Sequence, residues 1–186
     1  MPKIGMEPQR RDALETATIA EIGAAGSLDV TVSAIARRAG VSSALAHHYF
    51  GGKDQILASA MRRILRDFGA EVRSALKAAN SPRARAEALI VTSFAPSCFD
   101  PATVRAWMCL YAQAVTQPDM HRLLRLYQRR LGSNLTHALR PLSTQPTEAA
   151  QMLGALIDGL YLRAALGGED HAEATALAAL DSWIDR

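Results

Sequence analysis

Ser43, His47, His48 and Lys53 place one hydroxyl, two imidazoles and an ammonium within eleven residues, and Thr31 adds another hydroxyl twelve residues upstream. Neutral imidazole and hydroxyl groups bond base edges and phosphate oxygens, while an ammonium adds an attraction that salt weakens. The same residue types serve catalysis or metal binding in other arrangements, but this spacing supplies neither. Neighbouring His47 and His48 diverge on a helix and have no third ligand at metal-site spacing. The chain carries no nucleophile elbow and no glycine-rich phosphate loop. Those gaps disfavour an all-helical enzyme built on His121 or His137 with a nearby acid. The chemistry on offer is recognition: no catalytic residue, no metal and no cofactor are expected.

Thr31 to Lys53, TVSAIARRAGVSSALAHHYFGGK, supplies the elements that must position these groups. Val32, Ile35, Ala36 and Ala39 face one way at helical period and stop at Gly40, where a turn needing positive φ suits a residue without a side chain. Ser42 is placed to cap a second short helix whose apolar side is Leu45, Ala46, Tyr49 and Phe50. Two short helices across a tight glycine turn make a helix-turn-helix. Ala44, His47 and His48 share the opposite face of the second helix, with Ser43 beside them at its start. The expected DNA-binding set is Thr31, Ser42, Ser43, Ala44, His47, His48, Tyr49 and Lys53. Lys53 opens the next helix, where a cation opposes the helix dipole yet, with exposed backbone N–H groups, makes a seat for a phosphate. Arg37 and Arg38 read either as a solvated face or as phosphate contacts.

The same 23 residues resemble the signature of the TetR family of transcriptional repressors, carried here by Thr31, Ile35, Ala36, Ala39, Gly40, Val41, Ser42, Tyr49, Phe50 and Lys53. Two positions depart from that pattern: His47 stands where the family usually has a phosphate-contacting Tyr, and Ala44 where it usually has Gly. The resemblance implies an all-α fold with a three-helix DNA-binding head, residues 1–53, and a helical body, residues 54–186, for effector binding and dimerisation. The opening MPKIGM and the later LIDGLYLRAAL extend the likeness to choline-responsive repressors within the family. This implies control of genes converting choline to glycine betaine, choline as effector, and a homodimer joined through the last two helices on double-stranded operator DNA. A family member sensing a different small molecule (a drug, lipophilic cation or acyl compound) is the alternative.

Composition sets the bounds. With 186 residues and 49% hydrophobic content the chain can bury a sizeable core, and its formal charge is only +3. Residues 1–53 hold six Lys and Arg against five Asp and Glu, so any electrostatic footprint must come from segregation in space. Cys98 and Cys109 fit neither a Cys-x-x-Cys pair nor a zinc site and are expected as free thiols. No long apolar run or signal-peptide pattern is evident, so a soluble cytoplasmic protein without membrane association is expected.

Along the chain, Lys3, Arg10 and Arg11 read either as a frayed tail or as an arm reaching phosphates. A first helix is expected after Pro8, ending near Ala25 at Gly26. A long helix follows Lys53 as far as Asn80, with Arg62, Arg63, Arg66 and Arg73 on a solvated face. Prolines 82, 96, 101, 118 and 146 divide the remainder into helices, about nine in all, with Asp170 and Glu173 as a capping box for the last. Trp107 and Tyr111, an i,i+4 pair, are read either as core or as part of an aromatic box for a quaternary ammonium. Asp158, in an apolar stretch, needs a partner: Arg163, a backbone donor or a bound cation. Leu153, Leu156, Ile157, Leu160, Ala164, Leu177, Leu180 and Trp183 are the expected apolar surface for dimerisation, with Gly154 and Gly159 permitting close approach.

Overall fold

The computed structural model describes residues 6–184. Nine α-helices follow in order among them: α1 Met6–Ala25, α2 Val32–Arg38, α3 Ser43–Phe50, α4 Lys53–Ala78, α5 Pro82–Ser93, α6 Pro101–Ala114, α7 Pro118–Leu139, α8 Pro146–Ala165 and α9 Ala172–Asp181. A 3-10 turn at Pro96–Phe99 lies between α5 and α6. The all-α expectation holds. Lys3 lies outside the described residues, whereas Arg10 and Arg11 belong to α1.

Local chemistry explains most boundaries. α1 stops at Gly26, whose φ of 65° few other residues adopt. Pro82 and Pro101 open α5 and α6 at positions where a missing N–H costs nothing. Ser81 Oγ accepts from Ala84 N at 3.1 Å, and Asp100 accepts from Ala102 N and Thr103 N at 3.1 and 3.0 Å. The expected capping box on the last helix is corrected. α9 begins at Ala172, so His171 is the N-cap and Glu173 stands one position short of the reach a capping box needs; no side chain caps this end.

The chain forms two compact units. The first comprises the described residues through Arg66 together with Asp100–Leu124, and the second Asp67–Phe99 with the residues from Arg125 onward. This division by packing differs in kind from the partition of roles at residue 53, since α4 contributes a half to each unit. In the first unit Leu14, Ile22, Ile35, Ile56, Met61 and Leu110 are fully buried. Polar ties then fix α1 on α4: Arg63 bonds Asp12, and the buried carboxylate of Glu15 accepts from Ser59 Oγ and, at 2.8 Å, from Arg66. Arg63 is therefore a fastener rather than part of the solvated face expected of it, while Arg66 is exposed as expected and also holds Glu15. α1 also crosses α6 closely: a Cβ on Gly23 would lie 2.5 Å from Ala102 Cβ, and Arg105 donates to the Gly23 carbonyl. In the second unit Leu89, Ile90, Leu135, Leu139, Leu153 and Ile157 are fully buried, and Arg83 ties α5 to α9 through Asp181 at 2.6 Å.

Candidate nucleic-acid interface and effector site

Thr31 and Ser42 set the two helices of the motif. Thr31 Oγ1 accepts from Ala34 N at 3.1 Å and Ser42 Oγ from Leu45 N at 3.2 Å, so each hydroxyl closes one otherwise orphaned backbone donor. Each keeps its own O–H proton to give elsewhere. Between the helices Gly40 takes a φ of 68°, and Val41 N reaches back to Ala36 O at 2.9 Å. The turn reading of this glycine is correct.

α3 is eight residues long and fully buries only Ala46. Ala44, His47 and His48 are exposed on its outer side, as their spacing requires. Ser43 is half-buried and donates to Ser33 Oγ at 3.3 Å, which turns it partly toward α2. Tyr49 is half-buried, its ring 5.5 Å from that of His48. Lys53 Nζ stands 3.6 Å from Asp29 Oδ1, whose side chain is 98% exposed. Such a surface pair contributes at most about 1 kcal/mol, so a competing anion displaces it at little cost. Arg38 is engaged by Glu21 at 2.5 Å.

Arg11, read from sequence either as part of a frayed tail or as part of an arm, lies within α1. Its guanidinium carbon lies 5.2 Å from the Tyr49 ring centroid and 5.2 Å from that of Phe50, while its Nε bonds Glu7 at 3.0 Å. The contact joins residues nearly forty positions apart, and no local pattern announces it.

In the first unit Trp107 and Tyr111 meet edge to face on α6, with ring centroids 5.8 Å apart at 89°. Trp107 is buried and Tyr111 half-buried. In the second unit the Tyr127 hydroxyl donates to Asp158 at 2.9 Å; Phe68 lies beside Tyr127 with centroids 6.0 Å apart. Of the alternatives weighed for Asp158, Arg163 is on the exposed side of α8. Tyr161 donates to Cys98 O at 2.8 Å and packs on Phe99. Both cysteines are free thiols. Burial, reinforced by the charge of Glu71, pushes the Cys98 thiol up to about 11, and burial alone raises that of Cys109.

The apolar surface of α8 falls only partly where expected. Of the eight expected positions Leu153, Ile157, Leu160 and Leu180 are spent in the protomer's own core, whereas Leu156, Ala164, Leu177 and Trp183 are half-buried. Exposed instead are Met152, Leu162 and Leu166, at 57%, 42% and 72%, with exposed Ala155 and Gly159 between them. Their spacing of three and four residues puts them on one helical stripe.

Residues 15–60, which span this helix-turn-helix, match the TetR family of bacterial regulatory proteins, and residues 82–186 match the C-terminal family of BetI-type transcriptional repressors. The chain belongs to the TetR family. Within it this is a BetI-type transcriptional repressor, a DNA-binding regulator without enzymatic activity. It is 48% identical to the regulator BetI of Brucella melitensis over 99% of this chain and 94% of that one. It is 46% identical to BetI of Agrobacterium fabrum over 100% and 91%. The TetR fold extends to a transcriptional regulator of Saccharomonospora viridis solved in complex with choline, at a TM-score of 0.81 and 20% identity, covering 96% of this chain and 100% of that one. Among the described residues of this TetR repressor no helix is long and apolar enough to cross a membrane.

Proposed function

We propose that the protein acts in the cytoplasm as a homodimer joined through α8 and α9, lays two copies of α3 into a near-palindromic operator, and changes its grip when choline binds. Its targets in this reading are genes for making glycine betaine from choline, a route to osmoprotection. Ser43, Ala44, His47 and His48 face base edges, while Thr31, Ser42, Tyr49 and Lys53 hold the sugar-phosphate backbone. Two-fold pairing sets the recognition helices about 34–36 Å apart on one side of the duplex.

Lys53 carries the salt dependence. In Lys53→Ala, binding weakens alike for operator and unrelated DNA, and the slope of log affinity against log salt falls by about 0.9. Fluorescence anisotropy over a salt series reads this directly. A change in sequence preference at constant slope would refute the phosphate role.

The match of residues 82–186 to BetI-type repressors carries the choline half of the reading. Trimethylammonium donates no conventional hydrogen bond, so aromatic faces suit it better than polar groups do, and the perpendicular rings of Trp107 and Tyr111 offer such faces. Asp158, hydrogen-bonded by Tyr127, is the secondary candidate for the charge and is tested on its own as Asp158→Asn. α6 suits a sensor because its early residues Ala102 and Arg105 bear on Gly23 of α1. A ligand alters DNA affinity only as far as it binds the two arrangements unequally, and displacement of α6 would provide that difference. Calorimetric titration of Trp107→Ala should give a choline affinity lower by about 3- to 30-fold. Undiminished affinity removes the pair from the site. Larger shifts in unfolding midpoint with lipophilic cations than with choline would favour a different effector.

A further inference from the structure

We infer that Arg11 is a positioning residue for operator recognition, holding the last turn of α3 at its working angle without touching DNA. The inference rests on α3 being the reading helix. With Ala46 alone fully buried, α3 has little core of its own to fix its orientation, which must come from the half-buried Leu45, Tyr49 and Phe50 and whatever grips them. Arg11 grips two of these three: its guanidinium is 5.2 Å from each aromatic centroid, and Glu7 holds its Nε at 3.0 Å. A planar cation against two rings is an attractive and directional contact, one that a lysine ammonium reproduces only in part.

The other end of the clamp is fixed as well. Asp12, next to Arg11, bonds Arg63, and Glu15 one turn on bonds Ser59 and Arg66, so α1 presents Arg11 from a platform fastened to α4. Tyr49 in turn lies against the exposed His48 ring at 5.5 Å. Loosening Arg11 therefore frees the side chains that face the duplex while leaving the buried core of the head in place.

The test is operator and non-specific DNA binding by Arg11→Ala, Arg11→Lys and Tyr49→Leu, by Arg11→Ala combined with Tyr49→Leu, and by Ala44→Glu, each over a salt series. Arg11→Ala should lower operator affinity about tenfold and non-specific affinity by clearly less, with the salt slope as it was. Arg11→Lys should recover only part of that loss, and the double variant should lose less than the sum of its parts. A slope reduced by about 0.9, with both DNAs weakened and full recovery by Lys, would make Arg11 a phosphate contact and overturn the clamp. Additive losses in the double variant would overturn it too. If Ala44→Glu abolishes operator binding while Arg11→Ala does nothing, the clamp alone fails; if Ala44→Glu is harmless, the proposed reading face fails and takes the clamp with it.

Discussion

The Leu162→Glu, Leu166→Glu protein should sediment with the mass of one chain and bind its operator on the order of a hundredfold or more weaker than the parent. Both residues belong to the exposed stripe that begins at Met152, and carboxylates there would face apolar surface with no partner to neutralise them. With the proposed dimer separated, each head would meet its half-site alone, and the gain from linking two binding events, typically 10²- to 10⁴-fold, would disappear. Helical content should persist, because neither side chain belongs to the protomer's buried core. Val115→Glu is the control: Val115 is 84% exposed just past the end of α6, and its replacement should leave the mass unchanged. A Leu162→Glu, Leu166→Glu protein that still runs as a pair would show that the stripe on α8 is not the interface.

Gly23→Leu should lower the unfolding free energy by about 1–3 kcal/mol, read by denaturant or thermal melting. Even the first added carbon meets Ala102 at 2.5 Å to its Cβ and 2.7 Å to its backbone Cα, distances at which α1 and α6 must move apart. Arg105 would then be drawn from the Gly23 carbonyl as well. In Gly23→Ala the helix propensity gained, about 1 kcal/mol, opposes the overlap and reduces the loss without reversing it. Gly132→Ala, on α7 with nothing within 4 Å of the added carbon, should instead stabilise by about 0.5–1 kcal/mol. If Gly23→Leu melts no lower than the parent, the tight crossing of α1 and α6 is not what holds α6 to the head.

The reading head was legible because its signals are local. Thr31, Gly40 and Ser42 act on backbone groups within five residues of themselves, and the exposed positions 44, 47 and 48 follow from helical period alone. Legibility failed wherever partners come from distant segments. Arg63 looks like part of a solvated face until α1 places Asp12 beside it, and nothing local in the sequence announces that Arg66, exposed as expected, also reaches Glu15. The hydroxyl that donates to Asp158 is 31 residues away on another helix, beyond any i,i+4 rule. On α8 the periodicity was sound but its phase was ambiguous: Leu153, Ile157 and Leu160 had to face either their own core or a second chain, and only packing against the protomer decides which. The last helix begins one residue later than the capping box implies, because an acidic pair at that spacing also fits a loop.

A reading helix whose interior amounts to one alanine has a consequence for how such repressors diverge. Most positions of α3 bear little of the fold's stability, so exchanges at 43, 44, 47 and 48 should cost only a few tenths of a kcal/mol. Lineages can therefore drift toward new operator sequences without passing through unfolded intermediates, while Ala46 and the glycine at 40 stay put. His47 and Ala44 sit at two such lightly loaded, exposed positions.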